Sequence, residues 1–293
     1  MEKPDFISGK WKENVSLSKM TWLKLGGKVD VVFEPSSLED LQIFLQWHKG
    51  EIFVLGGGSN TLIRDGGIDG IVVHLPQELS TLTFSNTTIK VGCGIQSRQI
   101  AIACAKQGLS GLEFLYTIPG TIGGGMQTNA GCYGGEISDN LESITILTRD
   151  GKVKKLSNKE CGFSYRNSKI PKNAIVVEAI FQCERKEPKE IQKQMEETQK
   201  KRNLSQPFGQ ATAGSSFKNP PNDVAGRLID VVGLKDHKIG GVFVSKKHAN
   251  FFINDGTGTA KDFEDLLFYV QKTVQEKTGI KLIPEVHFVG KKL

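Results

Sequence analysis

The chain has no C-x-x-C pair. Its five cysteines, Cys93, Cys104, Cys132, Cys161 and Cys183, are odd in number and far apart, which argues against a disulfide framework and for free buried thiols in a reducing compartment. No apolar run approaches the roughly 18 residues of a membrane span, and Met1-Glu2-Lys3-Pro4-Asp5 lacks the pattern of a secretory leader. The expectation is a cytoplasmic protein without a membrane partner. The five histidines, His48, His74, His237, His248 and His287, show no ligand spacing, so no metal is expected. Neither a G-x-S-x-G elbow nor a Gly-Lys-Ser/Thr step after a glycine loop is present, which sets acyl transfer and Walker-type nucleotide hydrolysis aside. The net charge of +6 is mild, and basic doublets such as Lys154-Lys155 and Lys246-Lys247 are not interleaved with aromatics. That excludes a nucleic-acid stripe and favours anionic small molecules.

What is abundant is glycine, 33 of 293 residues. The densest stretch is Ile118-Pro119-Gly120-Thr121-Ile122-Gly123-Gly124-Gly125, with Asn129-Ala130-Gly131 close behind. Backbone without Cβ atoms can touch a flat or phosphorylated ligand and aim N–H groups at it. A second such segment, Gly56-Gly57-Gly58-Ser59-Asn60, directly follows the apolar run Ile52–Leu55. Two cradles of this kind point to one extended anionic cofactor. A competing dinucleotide fingerprint, Gly92-Cys93-Gly94-Ile95-Gln96-Ser97 with Glu113 about 20 residues on, ends in Ser where Gly or Ala is needed. It reads as a tight strand-to-helix turn.

Periodicity predicts short strands with a few helices. Ser36 and Glu39 form a capping-box candidate before Leu38, Leu41, Phe44 and Leu45. Ile71–Leu75 and Thr88–Val91 read as strands, and Gln96–Gln107 as a helix closed by Gly108. Ser143–Thr148 turns at Asp150-Gly151 into a hairpin with Lys152–Leu156, and Ala174–Cys183 is a further strand. Pro188–Asn203, apolar only at Ile191 and Met195, reads as an exposed helix at a domain boundary. Val224–Val232 is predicted helical, and Phe243–Asn254 and Lys281–Phe288 strand-like. Asp262–Lys277 has Phe263, Leu266, Leu267, Val270 and Val274 on one face, with Gly279 as its stop. The class is α+β. Three polar positions, Arg166, Ser215 and Glu285, are each unremarkable alone: a loop charge, a turn serine and a strand glutamate.

Their company changes that. Thr21-Trp22-Leu23-Lys24-Leu25-Gly26-Gly27, the two glycine segments, Asn129-Ala130-Gly131, Tyr165-Arg166, Gly214-Ser215-x-Phe217-Lys218-Asn219-Pro220 and Pro284-Glu285-Val286 stand in one order across nearly the full length. In that order the chain resembles the UDP-N-acetylenolpyruvoylglucosamine reductases. The resemblance implies a two-lobed FAD-binding domain of the vanillyl-alcohol-oxidase type, lobes 1–77 and 78–187, then an α+β substrate domain, 188–293. It implies FAD held by Gly56 to Asn60, Ile118 to Gly124 and Asn129 to Gly131, with NADPH as hydride donor and an enolpyruvyl UDP-sugar as acceptor. Arg166 and Glu285 would stabilise the enolate, with the glutamate protonated or sharing a proton. Ser215 would be the proton donor, and Tyr165, Lys218 and Asn219 substrate contacts. The product step belongs to peptidoglycan-precursor synthesis, in a monomeric cytoplasmic protein; the alternative is another FAD-dependent oxidase or dehydrogenase on the same fold. Two departures stand out. No tyrosine lies between Tyr165 and Tyr269, as in the subgroup without a tyrosine loop over the UDP moiety, and Ser216 offers a second hydroxyl beside Ser215.

Overall fold

A computed structural model describes residues 2–77 and 80–293. The chain forms two compact units, Met1–Lys12 with Val31–Gly57 and Ile71–Arg202, and Glu13–Asp30 with Gly58–Gly70 and Asn203–Leu293.

In the first unit, strands Ile52–Leu55 and Ile68–His74 pair in parallel, and Lys28–Glu34 continues that sheet. The helix Leu38–Trp47 buries Leu41, Phe44 and Leu45 against Val31, Phe33, Ile71 and Val73. Its cap is Ser37, whose hydroxyl accepts from Asp40 N, so the expected Ser36–Glu39 box is displaced by one residue. The cause is tertiary. The buried Asp40 carboxylate accepts from the Ser36 N–H and hydroxyl and from Ser8 N, which fixes the register at Ser37. Leu38, expected on the buried face, is exposed.

A five-stranded antiparallel sheet, in the order Val153–Ser157, Leu141–Leu147, Ile175–Gln182, Thr88–Gly92, Leu82–Ser85, makes the rest of this unit. Helix Ser97–Lys106 packs Ile100, Ala101 and Cys104 into its core, and Gly108 stops it at φ +64°. Helix Pro188–Ser205 buries only Ile191 and Met195, the two apolar positions its sequence offered. All five cysteines are free; four are buried, and Cys132 is half-buried.

The second unit is built on the antiparallel order Ala211–Ser215, Phe251–Asn254, Val242–Val244, Lys238–Ile239. The predicted run Phe243–Asn254 is therefore broken into two strands of a hairpin. Ser245 Oγ accepts from Lys247 N and His248 N, a side-chain-closed turn that stops the ladder without glycine or proline. Helix Ala260–Thr278 buries Phe263, Leu266, Leu267, Val270 and Val274 completely. It starts on a Thr259–Asp262 capping box and ends at Gly279 in the left-handed conformation. The Lys281–Phe288 run is likewise two short strands, Ile283–Pro284 and His287–Val289, with Glu285 between them. No helix among the described residues is long and apolar enough to cross a membrane.

Candidate functional site

In the first unit the two glycine segments meet backbone to backbone. A Cβ on Gly57 would stand 2.6 Å from Gly120 Cα and 3.1 Å from Thr121 N, and one on Gly56 would stand 2.8 Å from Thr121 Oγ1. The strand Ile52–Leu55 delivers the first segment. The second is held by Ser97 N donating to Gly120 O, Ile122 N to Ile95 O and Gly123 N to Cys93 O. Gly124, one residue beyond, has space in front of it, since its Cβ would meet only Thr121 Oγ1, at 3.7 Å. Side-chain-free backbone with open room ahead of it suits a flat, phosphate-bearing group such as FAD.

Arg166 is built onto the same unit. Ser164 and Asn167 exchange backbone hydrogen bonds around a two-residue turn that carries Tyr165 and Arg166. Arg166 lies at φ +53°, a conformation that a non-glycine residue keeps only when its surroundings hold it. They do. Its Nη2 donates to Gly131 O at 2.6 Å, and its guanidinium lies 5.1 Å from the Tyr165 ring centroid. The buried Asn129 ties the turn to the glycine segment, accepting from Ser138 N and donating to Ser164 O. Asn129 and Gly131 thus belong to one hydrogen-bonded neighbourhood with the turn that carries Arg166.

The second unit collects the other candidates. Ser215 pairs with Phe251 at a register shift in the strand Ala211–Ser215, following Gly214 at φ +75°. Ser216, next along, is 1% exposed, with its N–H on Asn250 O and its carbonyl accepting from Glu285 N at 2.9 Å. Glu285 O in turn accepts from Asn60 Nδ2 at 3.1 Å, and His287 N donates to Asn60 O. The serine strand and the glutamate are therefore joined backbone to backbone, and the glutamate is joined to the Gly58-Ser59-Asn60 end of the first glycine segment through the Asn60 side chain. Ser215 and Glu285 are half-buried, open enough to meet a ligand. Lys218 is half-buried opposite Ile283, while Asn219 uses its Oδ1 on Ala225 N at the start of helix Ala225–Val231.

Residues the sequence reading passed over also stand here. Asn250, 3% exposed, accepts from Phe217 N and donates to Phe217 O, pinning the strand just beyond Ser215. Its partner is 33 residues away, so no local pattern marks it. Arg202, at the end of helix Pro188–Ser205, is an electrostatic neighbour of Cys132 and Tyr133; burial lowers its pKa, opposed by those two groups. Burial pushes the Cys132 thiol up, against a hydrogen bond from Thr117 and the charges of Arg202 and Arg166. A thiol in that state is no nucleophile at neutral pH. Among the described residues no group of histidine, cysteine and carboxylate side chains could hold a metal.

The comparisons agree with this geometry. Residues 29–157 match the FAD binding domain family, and residues 206–289 match the UDP-N-acetylenolpyruvoylglucosamine reductase C-terminal domain family. UDP-N-acetylenolpyruvoylglucosamine reductase of Rickettsia massiliae is 39% identical over 287 residues, 97% of either chain. The enzyme of the same name from Rickettsia canadensis is 40% identical over 289 residues, again 97% of each. The crystal structure of UDP-N-acetylenolpyruvylglucosamine reductase from Thermus caldophilus superposes with a TM-score of 0.85 at 33% identity, covering 96% of this chain and all of that one. Likeness of that extent, on a fold that pairs a FAD-binding domain with this C-terminal domain, places the chain in the UDP-N-acetylenolpyruvoylglucosamine reductase family.

Proposed function

We infer that the protein is an FAD-containing, NADPH-dependent reductase that converts UDP-N-acetylglucosamine enolpyruvate to UDP-N-acetylmuramate. The observation that carries this is the likeness over 97% of both chains to reductases of that name. It is supported by the meeting of Gly57 with Gly120 and by the hydrogen-bonded link from the Ser215–Phe217 strand to Glu285.

FAD, when bound, supplies hydride taken from NADPH. We assign its binding to Gly56, Gly57, Gly58, Ser59 and Asn60, to Ile118 through Gly124, and to Asn129, Ala130 and Gly131. Arg166 offers a fixed positive charge to a substrate on which negative charge develops, and a charge already oriented before reaction needs no reorganisation at the transition state. Its hydrogen bond to Gly131 O provides that orientation. Ser215 gives a proton to the carbon next to the one that receives hydride, and Glu285, protonated or sharing a proton, stabilises the enolate, since a bare carboxylate would repel it. Tyr165, Lys218 and Asn219 contact the substrate. We place the flavin in lobes 1–77 and 78–187 and the substrate domain in 188–293. The reaction supplies peptidoglycan synthesis, and through it cell shape and division, in a monomeric cytoplasmic enzyme.

The direct test is stopped-flow absorbance. Protein reduced with NADPH and mixed with UDP-N-acetylglucosamine enolpyruvate is expected to regain its oxidised flavin spectrum within one turnover. A reduced spectrum that persists with this sugar but reoxidises with another acceptor assigns the chain a different substrate.

A further inference from the structure

The chain has three tryptophans, and two of them sit in aromatic clusters. Trp11 lies 6.0 Å from Phe33, and Trp47 lies 5.9 Å from Phe6, centroid to centroid. Trp22 packs against no aromatic ring among the described residues and is 49% exposed. Its position is not loose. Trp22 N donates to Gly58 O at 3.0 Å, and a Cβ on Gly58 would collide with Met20 O and stand 2.9 Å from Thr21 Cα. The segment carrying Trp22 is thus in direct contact with the start of Gly58-Ser59-Asn60.

The segment is rigid. Thr21, Leu23 and Leu25 are buried, and Trp22 and Lys24 between them face outward. Thr21 Oγ1 donates to Leu25 O, Lys24 N to Thr21 O and Asn254 Nδ2 to Leu23 O, closing a tight turn. Lys24 lies at φ +54°, where an L-residue with a long side chain is strained, and it makes no ion pair among the described residues. Backbone strain kept at an exposed lysine, two residues from an exposed indole and beside the loop assigned to the cofactor, points to a binding element.

We propose that Trp22 and Lys24 form an unassigned subsite for an adenosine diphosphate group, the indole stacking on adenine and the ammonium meeting a phosphate. This rests on the assignment of Gly58 to Asn60 as a cofactor loop. An indole face half open to water gains from covering by another flat ring, and a lysine acts on phosphate as a point charge. Both FAD and NADPH carry the group, and the experiment separates them.

Holoenzymes with Trp22→Ala, Trp22→Phe and Lys24→Gly are compared with wild type. FAD retention is read from the rise of free-flavin fluorescence on dilution, NADP⁺ affinity by calorimetry, and folding from the melting temperature. Trp22→Ala is expected to weaken one of the two ligands about tenfold, the effect of losing a base–aromatic stack, and Trp22→Phe to restore it to within about twofold. Loss of FAD retention assigns the subsite to the flavin adenine; loss of NADP⁺ affinity assigns it to the hydride donor. Lys24→Gly is expected to melt no lower than wild type, because glycine accepts the left-handed conformation, yet to bind the same ligand severalfold more weakly. If Trp22→Ala leaves both affinities within twofold of wild type, the subsite is refuted while the cofactor assignment stands. A wild-type protein that holds no FAD and binds no NADP⁺ overturns both.

Discussion

The glycine loops of the first unit and the strand pair of the second are built in opposite ways. At Gly57 and Gly120 the surface is defined by what is missing, since backbone from 63 residues away occupies the space that a side chain on Gly57 would need. At Ser215 and Glu285 it is defined by side chains carried on paired backbone, Ser215 opposite Phe251 and Glu285 N on Ser216 O. A substitution in the first region must move backbone. In the second it can remove chemistry and leave the frame intact. The sharpest contrast is Gly57→Ala, whose methyl meets backbone, Gly120 Cα at 2.6 Å and Thr121 N at 3.1 Å, with no flexible side chain to yield. Overpacking of this kind is expected to cost about 3 kcal/mol and to release the flavin. Urea unfolding and the flavin absorbance of the purified protein measure it; stability within about 0.5 kcal/mol of wild type would mean that the loops do not touch.

Next in size is Ser215→Ala. Flavin reduction by NADPH is expected to proceed as in wild type, while reoxidation by the enolpyruvyl sugar slows about a hundredfold, or about 2.7 kcal/mol in barrier. The urea midpoint should not move. Ser216→Ala is the control, because Ser216 is sealed at 1% exposure and contributes its backbone, not its hydroxyl, to the link with Glu285. Equal losses in the two variants would remove Ser215 from proton transfer.

The two regions also differ in how much of them the sequence reveals. Glycine clustering is visible without a fold, so the cradles and the helix Ala260–Thr278, with five fully buried positions at helical spacing, were legible from the start. Strand ends were not. The break at Ser245–Asn250 depends on one serine hydroxyl accepting from two backbone N–H groups, in a stretch with no glycine or proline to announce it. The cap at Ser37 rather than Ser36 was settled by Ser8, 32 residues from Asp40. Likewise, nothing local says that Asn250 holds Phe217, or that Asn60 holds Glu285 across 225 residues. Spacing and residue type are local and readable; what holds each of these side chains in place depends on partners that only folding brings together.

Acid offers a way to loosen the strand that follows Glu285. Arg64 Nε donates to Glu264 at 3.0 Å and its Nη1 to Gly290 O, and Lys292 reaches the same carboxylate, so this cluster fastens the His287–Val289 strand that follows Glu285. Burial by itself would raise the Glu264 pKa, but the hydrogen bonds and charges of Arg64 and Lys292 hold it below the ordinary 4.5. A depressed folded pKa stabilises above the unfolded value and is lost as pH falls through the folded one. Wild type is therefore expected to lose part of its stability below about pH 4.5. Glu264→Gln should cost about 2 kcal/mol at neutral pH and flatten that acid limb, read from urea midpoints at about pH 7 and about pH 4. An unchanged acid limb in the variant would show that other carboxylates set it.

The smallest effect carries the most discriminating sign. Gly124 lies within the short helix Ile122–Gln127, and a Cβ there would meet only Thr121 Oγ1, at 3.7 Å. Gly124→Ala should therefore stabilise the protein by about 0.5 kcal/mol, because alanine loses less backbone freedom in a helix. The same methyl stands in the room that the cradle leaves for a ligand, so flavin retention should fall even as the urea midpoint rises. Gly57→Ala loses both together. Opposite signs at Gly124 and matching losses at Gly57 would separate the part of the loop that faces the cofactor from the part that faces its own chain, whereas a Gly124→Ala protein that keeps its flavin would move the cofactor away from this helix.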